Sequence, residues 1–173
     1  MRHPALSFRT ATLVALACAM TACHVPDTTM ENGAIRLYGD TVTLHVAGSP
    51  EATLDADGGF AIDGKAVPVT PAERSLLAQY VRSVQAVHGT GLSMGGTGIG
   101  MALKAIGVAA SSSSGHADEA MQAVSERMQQ LDLDICKDIA AIKAAQDQLA
   151  TQLTAFKPYA SIVSTSDVTN CAN

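Results

Sequence analysis

FAIDGKAVPVTPAERSLLAQY, residues 60–80, holds the fold in miniature. Asp63-Gly64 separates two short apolar alternations, and Asp-Gly is a strong signal for a two-residue hairpin turn, whose central residues take positive φ. With that turn Phe60 lies opposite Val67, and Phe60, Ile62, Val67 and Val69 share one apolar face. Pro68 has no N–H to offer a neighbour, so its strand belongs at a sheet edge. Thr70, Pro71 and Glu73 then fit the N-cap, first helical position and N3 of a capping box. Leu76, Leu77, Tyr80, Val81, Val84 and Val87 follow at helical spacing. A sheet edge running straight into an amphipathic helix predicts an α+β domain, with the helix covering the apolar side of the sheet.

Working toward the N-terminus, IRLYGDTVTLHV (residues 35–46) alternates around Gly39-Asp40. That turn sets Leu37 against Val42 and Ile35 against Leu44 on the inner side. Arg36, Tyr38, Thr43 and His45 fall on the outer side and form a candidate binding face. Gly48-Ser49-Pro50 turns the chain, and residues 52–54 supply a short strand. The expectation is an antiparallel meander of about four strands over residues 34–69.

Past the first helix, at residues 71–88, lies GTGLSMGGTGIGMALKAIGVAASSSSG, residues 89–115. Gly91 and Gly95, then Gly96 and Gly100, stand four apart in an apolar run, a spacing that lets helix backbones approach closely. Each glycine costs about 1 kcal/mol of helix stability relative to alanine, so packing must offset it. The expectation is a glycine-rich helix over 91–110, buried or mobile, with membrane insertion and a flexible linker as the alternatives. Met121, Met128, Ile135, Ile142, Leu149 and Phe156 then recur every seven residues, predicting a long helix over 117–157 with a coiled-coil-like seam. Pro158 is expected to end it, leaving a tail of residues 158–173. Such a helix would span about 60 Å, so it must pair with another helix, most simply as a helical hairpin.

The chain opens differently. Arg2 and Arg9 flank a basic head, an apolar run of only residues 10–20 follows, and small residues come after it, the layout of a secretory signal peptide over residues 1–22. Roughly 20 apolar residues are needed to cross a bilayer, so the run is too short to be an anchor itself. Met20-Thr21-Ala22-Cys23 resembles a bacterial lipobox, which implies a lipoprotein with diacylglycerol, and palmitate among the acyl chains, on Cys23. Plain cleavage near Ala15-Leu16-Ala17 is the alternative. His24 is not the aspartate that retains lipoproteins in the inner membrane, which directs the expectation to a periplasmic protein held at the outer membrane. Residues 23–33 read as a polar tether, leaving 34–173 as a single domain.

Removing the leader leaves Cys136 and Cys171 beside Cys23, an even pair suited to an oxidising compartment. From Cys136 a helix to Phe156 climbs roughly 30 Å. The residues after Pro158 can stretch about 43 Å, enough to return and close a disulfide.

Charge and motifs narrow the function. The net charge of −5 becomes −7 once Arg2 and Arg9 are removed, Trp is absent, and no basic cluster exists, so nucleic acid is not the expected partner. No nucleophile elbow, zincin helix or phosphate-binding loop is present. His45 with Asp63 is the best catalytic pair, and an enzyme is not the expected reading. Asp55, Asp57 and Asp63 gather near the second hairpin but miss the spacing of a calcium loop, and turn chemistry accounts for them, so neither metal nor cofactor is expected. The outer side of the long helix, with Glu126, Asp132, Asp134 and Asp138, is a second candidate face.

Two segments, DADGGFAIDGKAVPVTPAERSLLAQY (55–80) and LDICKDIAAIKAAQDQLATQLTAFKPYASI (133–162), resemble the YggN-like family of proteobacterial periplasmic proteins, whose function is unknown. The resemblance implies a secreted envelope protein and brings no catalytic residues with it. Together these readings give a non-catalytic envelope lipoprotein that binds another envelope component or protein, an immunity-type inhibitor being one version of that role. The alternative is a membrane-active protein that inserts or self-associates through residues 91–110.

Overall fold

The capping box forms as the residues dictate. Thr70 N–H donates to Glu73 Oε2 at 2.6 Å, and Glu73 N–H reaches back to Thr70 Oγ1 at 3.3 Å, satisfying two helix-end donors reciprocally. In this computed structural model, residues 26–110 and 114–171 are described, with side chains omitted over 97–110 and 114–120. Residues 1–22, expected to be a signal peptide, and Cys23, expected to be lipidated, lie outside the described residues.

The sheet is antiparallel, its six strands in chain order: β1 (Thr28–Met30), β2 (Ile35–Tyr38), β3 (Thr41–Leu44), β4 (Ala52–Asp55), β5 (Phe60–Ile62) and β6 (Lys65–Ala66). The expected register holds: Leu37 pairs with Val42 and Ile35 with Leu44, while Val67 N–H donates to Phe60 O at 2.8 Å. Six strands replace about four. The correction comes from the tether, where residues 28–30 pair with β2 across a left-handed turn in which Glu31, Asn32 and Gly33 all have positive φ. Asn32-Gly33 suits that turn, because Asn and Gly bear left-handed backbone at least cost.

Helix α1 (Pro71–Ala110) and helix α2 (Ser114–Gln152) form an antiparallel hairpin. Residues 71–88 and 91–110 are therefore one continuous helix and not two. Gly89 and Gly91 each lack only a side chain and leave the backbone hydrogen-bond ladder intact, so they weaken the helix without ending it. The long helix runs 114–152 and not 117–157, stopping before Pro158. Leu153 turns extended at φ −109° and ψ 100°, and a 3₁₀ turn, Thr154–Tyr159, follows. Leaving the helix axis here buries Phe156 and Tyr159 beneath the sheet, where each meets Phe60 at ring-centroid distances of 5.9 and 6.4 Å. The tail is partly helical, ending in α3 (Thr165–Cys171).

One core joins the layers. Ile35, Leu37, Val42, Leu44 and Leu54 from the sheet meet Leu77, Tyr80, Val81 and Val84 of α1 and Ile142 and Leu149 of α2. The heptad positions grade along the hairpin: Ile142 and Leu149 are buried, Met128 and Ile135 half-buried, and Met121 is 65 % exposed. Only the base of the hairpin has the sheet to cover it.

A sharp test of this packing lies at Gly58. Its φ is +78°, and a Cβ there would fall inside contact range of the Arg74 carbonyl in the first turn of α1. Gly64 also has positive φ, at +71°, but open space surrounds it. Gly58→Ala should therefore lose roughly 2–3 kcal/mol by chemical denaturation, combining backbone cost and overpacking. Gly64→Ala should lose only about 1 kcal/mol from backbone alone. Equal losses would refute the close approach of the 55–59 loop to α1.

Candidate functional site

The described residues form a cleft of about 260 Å³ where β1 meets the hairpin. Thr28 and Met30 form one wall, Val87, His88 and Leu92 of α1 the other, and Ile135 of α2 closes the floor. Local sequence places each of them. Thr28 and Met30 alternate along a strand, His88 and Leu92 are one helical turn apart, and Gly91 contributes no side chain to fill the space between. Thr28 Oγ1 and His88 Nδ1 share a hydrogen bond of 2.6 Å. Asp27, on the rim, accepts the Gly39 N–H at 2.6 Å. The cleft is apolar on most sides with a hydroxyl–imidazole pair at one end. That chemistry suits an apolar group accompanied by a small polar one.

A second cluster sits where the β1–β2 turn meets the start of α3. Burial raises the Glu31 carboxyl above its ordinary pKa, and the nearby Asp167 charge raises it further. Asp167 is held low, because it accepts the Ser164 hydroxyl at 2.6 Å and the Ser164 N–H at 2.7 Å. The Tyr80 hydroxyl is fully buried without a hydrogen-bond partner, and burial, then Glu31, pushes its pKa upward. Glu31 thus favours the fold while protonated, below the ordinary glutamate range, and that contribution disappears as pH rises through its elevated folded value. Asp167 works with the opposite sign, stabilising above the ordinary aspartate range and ceasing to as pH falls through its lowered value. Glu31→Gln should raise the melting temperature at pH 7 and lose that gain below about pH 3, where the carboxyl is protonated in both states. A gain that persists unchanged at acid pH would remove charge as its cause.

The predicted outer face assembles in part. Arg36 pairs across the strands with Thr43, and Tyr38 lies on the same side. Thr43, however, is only 7 % exposed, a correction to its place in a docking face. It sits in a central strand, paired on one side with Arg36 and on the other with Thr53, where neighbouring side chains on the same face leave little room for solvent. His45 is exposed beyond the end of β3. Asp63 stands two strands away across β4, about 10 Å at usual strand spacing, so the structure does not bring that catalytic pair together. Asp55 Oδ1 accepts the N–H groups of Asp57 at 3.0 Å and Gly59 at 2.7 Å, which is turn chemistry. Among the described residues no three His, Cys, Asp or Glu side chains are grouped to hold a metal ion.

On α2, Glu126 and Asp132 are exposed, while Asp134 and Asp138 are half-buried. Burial raises the Asp138 pKa, Lys137 opposes this and Asp134 adds to it. Cys136 and Cys171 form a disulfide with Cα atoms 5.4 Å apart. Of the glycines expected to bring helices together, Gly91, Gly95 and Gly96 do not, since a Cβ at each would meet nothing within 4 Å, and Gly100 lies outside the residues whose surroundings are described. No helix among the described residues is long and apolar enough to cross a membrane.

The cleft was missed in the sequence because residues 27–30 read as tether. The available signal was Asn32-Gly33, a turn dipeptide followed directly by the alternating β2. No protein-family model, curated protein or solved structure matches the chain.

Proposed function

We propose that this is a non-catalytic lipoprotein of the periplasm, held at the outer membrane through Cys23, that binds another envelope component or protein. An immunity-type inhibitor of a toxin delivered to the periplasm is one form this role would take. The observation that carries the reading is the Cys136–Cys171 disulfide, a bond at home in oxidising compartments. The basic, short-apolar, small-residue order of the first 22 residues supports export, and Cys23 follows a lipobox-like triplet. A second reading, self-association at a bilayer through residues 91–110, draws support from the uncovered glycines at 91, 95 and 96.

Intact mass of the mature protein separates lipidation from plain cleavage. A chain starting at Cys23 with an added diacylglyceryl mass is expected, and an unmodified start elsewhere would overturn the anchor. Carbonate extraction should release Cys23→Ala from membranes, whereas retention would favour the membrane-active reading. Crosslinking and affinity capture from the envelope should then return one stoichiometric partner.

A further inference from the structure

We infer that the side of the molecule around the β1–α1 cleft is its membrane-facing side, with Leu92 and the uncovered glycine-rich part of α1 laid against the lipid surface. The inference rests on the lipidation of Cys23 proposed above. Three peptide units link Cys23 to Pro26, the first described residue. Even a fully extended chain gains at most about 3.3–3.6 Å per residue, so the anchored end lies within roughly 11 Å of Pro26 and within roughly 18 Å of the start of β1 at Thr28. The sheet cannot stand far off the bilayer at that point.

What the tether brings to the surface is apolar. β1 runs directly into the cleft as one of its walls, and the facing wall carries Leu92, which is 65 % exposed. Next to it, Gly91, Gly95 and Gly96 present bare backbone with open space where side chains would stand. The two ionisable groups at the cleft already have partners within the chain: Asp27 accepts from Gly39, and His88 is bonded to Thr28. Placing this side in the headgroup layer removes an exposed leucine from water and strands neither group without a hydrogen bond. The remaining apolar outlier on this stretch of the hairpin, Leu133, is 62 % exposed and serves as the internal contrast. It lies two residues from Ile135, about 200° around α2, and so faces away from the cleft.

The chain contains no Trp, so Leu92→Trp and Leu133→Trp each create a single fluorophore. The full-length lipidated proteins are reconstituted into phosphatidylethanolamine–phosphatidylglycerol vesicles with brominated acyl chains, after intact mass has established the lipid on Cys23. Emission from Leu92→Trp should shift to the blue and be quenched several-fold more strongly than that from Leu133→Trp. Equal quenching, or none, in protein of the lipidated mass overturns the orientation and leaves the anchor standing. If the mass shows no lipid, anchor and orientation fall together. A blue shift that grows with protein concentration in vesicle-free Cys23→Ser/Leu92→Trp protein would assign the face to a second copy and overturn the inference as well.

Discussion

Gln146→Leu should cost about 3–5 kcal/mol of stability although it introduces an apolar side chain of similar volume into a buried position. Gln146 is 0 % exposed and makes three hydrogen bonds to the returning tail. Its Nε2 donates to Ala160 O at 2.7 Å and Val163 O at 2.9 Å, and its Oε1 accepts Val163 N–H at 3.0 Å. Leucine would leave two carbonyls and an amide without partners, each costing about 1–3 kcal/mol where it is buried, as both Val163 groups are and the Ala160 carbonyl is in part. Gln146→Glu sharpens the test. A carboxylate keeps the bond from Val163 N–H but turns its other oxygen toward two carbonyl oxygens, so it is driven to stay protonated in the fold. Its raised folded pKa means the deficit should be largest at pH 7 and shrink at acid pH, where the protonated acid can donate once. Urea midpoints at pH 7 and at pH 4–5 measure this. A pH-independent loss for Gln146→Glu, or a loss under about 1 kcal/mol for Gln146→Leu, would show that the tail does not depend on this side chain.

Gln146 also marks the border of what local pattern could reveal. The two hairpins, their register, the capping box and the apolar face of α1 were legible because each rests on neighbours within a few residues: Asp63-Gly64 sets its own turn, and Thr70 finds Glu73 one helical turn away. Beyond that range the sequence speaks less plainly. Gln146 interrupts no periodicity, and its partners lie 14 and 17 residues on, in a tail whose path depends on Leu153 leaving the helix. Helix length misled for a related reason, since heptad spacing continues through Phe156 although that ring is wanted under the sheet and not along the hairpin. Of the candidate site, the disulfide was legible from two cysteines and chain reach. The cleft was not, because it needs β1, three residues drawn from a segment that reads as a tether, set against one face of α1 and one residue of α2. Tertiary contact decides such sites, and no local propensity encodes it.

The Cys136–Cys171 bond is expected to contribute about 4 kcal/mol, the chain-entropy value for the 35 residues it spans. Against a total of about 5–15 kcal/mol for a domain, that is a large share. Beyond constraining the unfolded chain, the bond also determines where native structure is lost. α3 has seven residues and no buried side chain, far below the length at which a helix persists alone. Its ties are the Ser164–Asp167 cap, the half-buried Val168 and the disulfide. Cys136→Ser/Cys171→Ser should therefore lower the guanidinium midpoint and let amides of residues 165–171 exchange rapidly, while Leu77, Val81 and Leu149 in the core stay protected. Gln146 holds the same tail from the other end, so combining Gln146→Leu with the two serines should cost less than the separate losses added together. Once the tail has come away, its docking cannot be lost a second time. Strict additivity would mean that the two ties hold independent pieces of structure. Full protection of residues 165–171 in the serine variant would mean that α3 docks without the bond.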